Sequence, residues 1–339
     1  MPDVSIALAT HNGERYLAAQ LESLSAQTAL PTELVIADDS SSDGTLKIVQ
    51  VFAQKAAFPV RVIQNEYRLG YRLNFIRAAT ACRGELIAFC DQDDIWHPEK
   101  LQIMQRAFHD RNVLLAYHNA TLINKEGTVL GTLYPHVSAT KIFSPLTMQP
   151  WMIIPGHAQV IRRSLVRFTE LHSKSIDPYC TTELMPHDQW YPFWASVLGN
   201  IVYAPERLVW YRQHDTNASG WPHIGWFKYI LDHISNAAHY VAGQSIGAKN
   251  RLALLHSCHD LLSSEESALI NAAALYQIAF CALNDLRFDI YDKKTFAARL
   301  RALFGLLKQG GYTRRQPNLG LPALLLDAAI GAPLRRTVY

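Results

Sequence analysis

The chain has 339 residues, 49% of them hydrophobic and 18% charged, with a formal net charge of +3. This balance fits a globular protein with a real core, in one large domain or two ordinary ones, and excludes a disordered or collagen-like polypeptide. The five cysteines, an odd number with no CxxC pair, do not have the pattern of a disulfide framework. The charge is uneven. Residues 293–339 carry nine Lys/Arg and one acid, Asp327, a net +8 that leaves −5 for residues 1–292. Such a tail is expected to meet something anionic. No secretory leader pattern stands at the start and no apolar run of 18 residues occurs. The expected location is therefore cytoplasmic, with 293–339 as a candidate peripheral contact to the inner face of the cell membrane. No nucleic-acid partner is expected.

Strand and helix signals alternate from the start. Val4 to Thr10 reads as a buried strand. Asn12-Gly13 breaks the chain before a helix that carries Leu17, Leu21 and Leu24 on one face. Leu34 to Asp39 is a second strand, and Ser40 to Gly44 a turn leading into a helix through Leu46 and Val49. Val60 to Gln64 is the third strand, Tyr71 to Ala81 a helix, and Leu86 to Cys90 the fourth strand. Pro98 opens a helix whose buried stripe is Leu101, Met104 and Phe108. This alternation predicts right-handed βαβ units and a parallel sheet, with the strand order left open. Beyond 217, Trp226 to Val241, Lys249 to Leu262, Glu265 to Asn284 and Lys293 to Lys308 read as helices separated by short breaks, and Leu319 to Ile330 as a further apolar helix.

The fourth strand ends in Asp91-Gln92-Asp93-Asp94, three carboxylates in four residues. Open α/β sheets bind ligands beyond the carboxyl ends of their strands. Crowded carboxylates repel unless a cation or hydrogen-bond donors offset their charge. Oxygen ligands suit Mg²⁺ or Mn²⁺, which take a few carboxylates together with substrate phosphates. Thr10-His11-Asn12 and Asp38-Asp39 end two other strands in polar residues suited to a nucleotide. Neither GxxxxGK[ST] nor GxGxxG is present, so phosphates must be held by the metal and by Arg or His side chains.

The segments Val4 to Gly13, Val35 to Thr45, Leu69 to Phe75 and Ile87 to Trp96 resemble those of the family-2 inverting glycosyltransferases with the GT-A fold. Met185 to Trp190 and Trp210 to Asn217 are similar to the bacterial rhamnosyltransferase-like branch. The resemblance covers residues 1–220. It implies a GT-A catalytic domain there, with a nucleotide-binding half (1–117) and an acceptor-side half (118–220), followed by a helical C-terminal region (221–339). It implies an inverting glycosyltransferase of surface polysaccharide synthesis. The donor would be a nucleotide-diphospho-sugar, dTDP-rhamnose or a UDP-sugar, and the acceptor a hydroxyl on a glycan or lipid-linked molecule. Carried over by position, Thr10, Asn12 and Glu14 would line the base and ribose pocket, and Asp39 would hydrogen-bond the pyrimidine. Arg72 would lie near the diphosphate. Asp91, with Gln92, would face the ribose or the metal's surroundings. Asp93 would be the main ligand of Mn²⁺ or Mg²⁺, with Asp94 the alternative and His214 a further ligand. Arg212 would close over the diphosphate, and Asp188 would be the general base, with His187 next in line.

Inverting transfer is a single displacement at the anomeric carbon. One carboxylate must take the acceptor's proton, which contributes about 10²–10⁴-fold. No GxSxG elbow is present, consistent with the absence of an enzyme nucleophile. Plainer readings stand beside these. Asp188 suits the first turn of a helix through its dipole, Asp39 can cap a turn, and His214 can be a turn histidine. Trp190, Tyr191, Phe193 and Trp194 fit either sugar stacking or core packing. His256, Cys258 and His259 lack a second pair at zinc spacing. Two other functions remain in view. One is a haloacid-dehalogenase-type phosphatase, whose motif has Thr or Val where Ile95 stands and lies on the first strand. The other is a non-catalytic nucleotide-sugar-binding scaffold.

Overall fold

The computed structural model describes residues 1–214, 236–312, 319 and 321–328. Two compact units divide the chain. The first takes residues 1–169 and 186–221, the second 170–185 and 222–339. A single cut at 220 therefore misplaces one segment, 170–185, which groups with the helical region.

The first unit is built on a ten-stranded sheet. Its strands are β1 (Val4–Thr10), β2 (Glu33–Asp38), β3 (Val60–Gln64), β4 (Leu86–Cys90), β5 (Ile95–Trp96), β6 (Val113–Asn124), β7 (Val129–Thr132), β8 (Lys141–Phe143), β9 (Gln159–Arg162) and β10 (Asn200–Gln213). The order is β3-β2-β1-β4-β9-β6-β10-β5, with β7 on β6 and β8 on β10. β3, β2, β1 and β4 run parallel. β9 runs antiparallel to β4 and β6, so the second half of the sheet is mixed. β1, β2 and β4 are buried throughout, which is why they read as unbroken apolar runs rather than alternating ones.

The helices of this unit are α1 (Leu17–Ser25), α2 (Thr45–Ala53), α3 (Tyr71–Ala81), α4 (Lys100–Ala107) and α5 (His187–Leu198). α1 seats Leu17, Leu21 and Leu24 in the same core cluster as Ile6, Leu8, Leu34 and Ile36. α5 is buried on nearly every side: Trp190, Tyr191 and Trp194 have no exposed surface, and Phe168 stacks on Trp194 at 4.0 Å. These aromatics are core, not a sugar platform.

β1 continues through α1 to β2 on one side, whereas α3 carries the chain back across to β4 on the other. The order therefore reverses between β1 and β4, and such a switch point opens a crevice beyond the strands' carboxyl ends. The loops after β1 and β4 meet there.

The second unit contains α6 (Ala237–Ser257), α7 (Ser264–Asp292), α8 (Phe296–Lys308) and α9 (Leu321–Leu326). The expected break between Val241 and Lys249 does not occur, and α6 runs straight through. Gly243, within that expected break, serves packing, since a Cβ there would lie 2.1 Å from the Pro178 carbonyl oxygen. The expected stretch 226–235 lies outside the described residues. α7 starts in a capping box in which Ser263 and Glu266 satisfy each other's backbone N–H. Although no uninterrupted apolar run is present, α7 is long and apolar enough to cross a membrane. Its most apolar window has mean hydropathy 1.3 and is 39% buried.

Candidate active site

Asn12 and Gly13 turn the chain after β1. Asn12 takes φ +48°, a left-handed conformation that Asn tolerates. A Cβ on Gly13 would fall 2.3 Å from Gln92 Oε1. That space lets Gln92 hold both backbone groups of His11, accepting from its N–H at 2.9 Å and donating to its carbonyl at 3.0 Å. Gln92 thus ties the β1 loop to the acidic loop across the switch point. Asn12 and Glu14 are spent on the loop after β2: Asn12 Oδ1 accepts from the Ser42 N–H at 2.8 Å, and Glu14 Oε2 from the Gly44 N–H at 2.9 Å.

These loops enclose a cavity of about 410 Å³, lined among others by Thr10, His11, Asp39, Arg68, Gly70, Asp91, Gln92, Asp93 and Tyr211. Thr10, Asp39, Asp91, Gln92 and Asp93 were expected there. The Asp39 carboxylate accepts from the Leu69 N–H (2.6 Å), the Gly70 N–H (2.8 Å) and Asn65 Nδ2 (2.8 Å), so it shapes the wall that leads into α3. Gly70, at φ +83°, takes a turn that side chains resist. Arg68, which the sequence reading passed over, lines the cavity, whereas Arg72 lies on the first turn of α3 with its guanidinium 5.3 Å from the Tyr71 ring.

The acidic loop separates into two groups. Asp93 points to His214, whose Nε2 is 2.9 Å from Asp93 Oδ2. The expected pair is therefore brought together at the end of β10. The rest of its motif, residues 215–217, lies outside the described residues. Asp94 turns inward and is fully buried, with Oδ1 accepting from the Arg212 N–H at 2.9 Å. The Arg212 guanidinium donates to the carbonyls of Asp93 and Lys125 at 2.9 and 3.2 Å and lies 4.7 Å from the Tyr16 ring. In this arrangement Arg212 clamps the acidic loop.

His157 is the residue that sequence reasoning missed. It stands more than sixty positions from the cluster with no motif around it, yet its Nδ1 lies 3.8 Å from Asp91 and 3.9 Å from Asp94. Burial, with the charge of Lys100, pushes the imidazole down to about 3, which favours its neutral form. Lys100 is buried beneath, 3.5 Å from the Trp96 ring, and donates to the His157 carbonyl at 2.6 Å. Burial lowers its ammonium to about 7. Burial and the charges of Asp93 and Asp188 raise the Asp91 carboxyl to about 8. A third of its side chain meets solvent, which screens those charges. Burial, then Asp93 and Asp91, hold Asp94 well above the ordinary carboxylate range.

A divalent cation fits this loop. Asp91, Asp94 and His157 offer donor atoms within 4.8 Å of one another. Asp94 Oδ2 is buried without a hydrogen-bond partner among the described residues. The mutual repulsion of the three acids is the charge that a cation would neutralise.

Asp188 occupies the first turn of α5, and its charge reaches Asp91. His187 beside it is buried, with its ring 3.9 Å from Phe75 and 4.8 Å from Phe89. It therefore packs as core rather than facing the crevice.

Comparison with known proteins agrees with this geometry. Residues 5–168 match the family model Glycosyl transferase family 2. An uncharacterised protein of Mycobacterium tuberculosis is 29% identical over 215 residues, 62% of this chain and 59% of that protein. The UDP-Glc:alpha-D-GlcNAc-diphosphoundecaprenol beta-1,3-glucosyltransferase WfgD of Escherichia coli is 32% identical over 126 residues, 37% of this chain and 49% of the relative. The chain thus spans less than two thirds of the length of these relatives. The structure of S. aureus TarS 1–349 in complex with UDP-GlcNAc has the same fold, with TM-score 0.50 and 17% identity over 92% of this chain and 93% of that one. A cluster after the fourth strand of a GT-A sheet is also not the first-strand position of a haloacid-dehalogenase nucleophile. Residues 5–168, with their sheet, switch-point crevice and acidic loop, have the GT-A fold and are similar to the family-2 glycosyltransferases.

Proposed function

We propose that this protein is a metal-dependent inverting glycosyltransferase of the rhamnosyltransferase-like branch. It moves a sugar from dTDP-rhamnose or a UDP-sugar to a hydroxyl of a glycan or lipid-linked acceptor in surface polysaccharide synthesis. The observation that carries this reading is the meeting of Asp39, Asp91 and Asp93 around one cavity, with the charge of Asp188 reaching Asp91. The names of WfgD and of the TarS complex, which mention nucleotide-sugar chemistry, support the donor class.

The cavity takes the nucleotide, with Thr10 and Asp39 at its base-side wall and Arg68 and Arg72 at the α3 side, where the diphosphate needs positive charge. Asp93, with His214, would hold Mn²⁺ or Mg²⁺ on the cavity side, with Asp91 beside them facing the same cavity. Asp94 and His157 stand behind them. When bound, the cation neutralises charge on the leaving diphosphate. Asp188 accepts the proton of the acceptor hydroxyl as that oxygen bonds to the anomeric carbon and the bond from that carbon to the phosphate oxygen breaks. The nucleoside diphosphate leaves with the electron pair, and the product is inverted.

Calorimetric titration with UDP and dTDP, with and without Mn²⁺, tests the metal assignment. Asp93→Asn is expected to abolish the metal-dependent gain in affinity, whereas His157→Ala keeps it. The reverse pattern moves the cation to the buried group. Asp188→Asn is expected to lower turnover at least about 10²-fold with donor affinity unchanged. An NMR coupling constant showing a retained anomer in the product would overturn the single displacement.

A further inference from the structure

We propose that α8 is a docking surface for anionic phospholipid. The helix carries two apolar faces. Leu303 and Leu306 turn inward and join a core cluster with Ala237, Val241 and Ile290. Phe296, Phe304 and Leu307 turn outward and are 55%, 55% and 40% exposed. At 100° per residue these three fall within one 80° arc. The stripe that reads as continuous in the sequence is thus divided, and only half of it is used by the fold.

The chemistry of the rim selects the occupant. Arg301 and Lys308 lie just beyond the exposed arc and are themselves exposed. Lys294 precedes the helix, also exposed. Residues 293–312 contain five Lys/Arg and no acid. Arg299 is not part of this rim; it is buried and donates to the carbonyls of Lys293 and Lys294. Lys293 is paired with Asp289 at 3.0 Å. Aromatic and aliphatic side chains flanked by basic residues that form no ion pair among the described residues, on one side of a surface helix, match the interface of a membrane. The rings enter the acyl boundary and the cations meet phosphate headgroups. A protein partner of mixed charge would not require the complete absence of acids along this stretch.

The test uses the full chain and sedimentation with two kinds of vesicle, phosphatidylcholine alone and phosphatidylcholine mixed equally with phosphatidylglycerol. The protein is expected to pellet with the mixed vesicles only, and to be released as salt screens the headgroups. Lys294→Gln/Arg301→Gln/Lys308→Gln is expected to lower partitioning at least about tenfold. Phe296→Ser/Phe304→Ser/Leu307→Ser is expected to lower it similarly, and because these side chains are exposed its thermal melt should match wild type. Equal binding to both vesicles, no binding to either, or full binding by the charge variant would overturn the proposal. So would a dimer, seen by size exclusion, that the apolar variant abolishes while wild type ignores the vesicles. Vesicle binding is read without donor or acceptor, so it stands or falls separately from the transferase reading.

Discussion

The charges of Asp91, Asp93 and Asp94 oppose one another more strongly in the folded loop than in an unfolded chain. Asp91 is raised to about 8, so its proton is bound more tightly in the native state. A raised acid is neutral in both states at low pH and costs stability as pH rises through the unfolded value toward 8. Metal-free protein should therefore lose thermal stability between about pH 4 and pH 8 through this group. Asp91→Asn should flatten that slope and raise the melting temperature at pH 8 by about 2–4 °C. Mn²⁺ should flatten the slope in wild type, because a cation binding only the native ionised cluster stabilises it. A metal-free profile equally steep in Asp91→Asn would refute the assignment. Gly156 offers a second test at this scale. A Cβ there would sit 2.1 Å from His187 Nε2, and that ring is confined by Phe75 and Phe89. Gly156→Ala should cost about 1–3 kcal/mol by overpacking. Denaturant titration would show this, and a neutral result would mean the ring has room to move.

The segment leading into α3 depends on a single carboxylate. Asp39 lies on the loop after β2 yet holds the N–H groups of Leu69 and Gly70. Asp39→Ala leaves those donors without their acceptor and should cost about 1–3 kcal/mol. Amide exchange of residues 66–74 should quicken while the strands stay protected. Unchanged exchange there would show that the loop is held by other contacts. α5 shows why an aromatic cluster next to a proposed catalytic residue misleads. Its residue types suit sugar stacking equally well, but an element packed on nearly all faces has no surface left for a ligand.

For the whole molecule, the second unit is closed by Asp327. Its fully buried carboxylate accepts from Arg287 Nε at 2.9 Å and from the hydroxyls of Tyr291 and Tyr312 at 2.8 and 2.7 Å. One acid thereby joins α7 to the segment after α8 and to the end of α9. Asp327→Asn removes the charge that Arg287 needs, and stranding a buried cation costs about 3–5 kcal/mol. Melting followed by exchange in α7 should show an early loss in the helical unit, and a variant as stable as wild type would refute this role. In the sequence Asp327 is merely the one acid in a basic tail.

Local chemistry was legible along the chain. Buried parallel strands are almost wholly apolar, so Val4–Thr10 and Leu86–Cys90 could be bounded to the residue, as could the more exposed strand Val60–Gln64 and the helix Tyr71–Ala81. Three polar strand ends, two of them acidic, pointed to a nucleotide and a cation, because carboxylates placed after buried strands are confined to a sheet edge. Contacts between distant segments were not legible, since side-chain pattern records which face is buried and not what covers it. Only the tertiary structure set the strand order, and with it the switch point between β1 and β4. Only packing brought His157 and Lys100 beneath the acids and fastened Arg212 to their loop. It also divided the apolar stripe of α8, because a helix with more hydrophobic surface than its core can accept must leave the remainder outside.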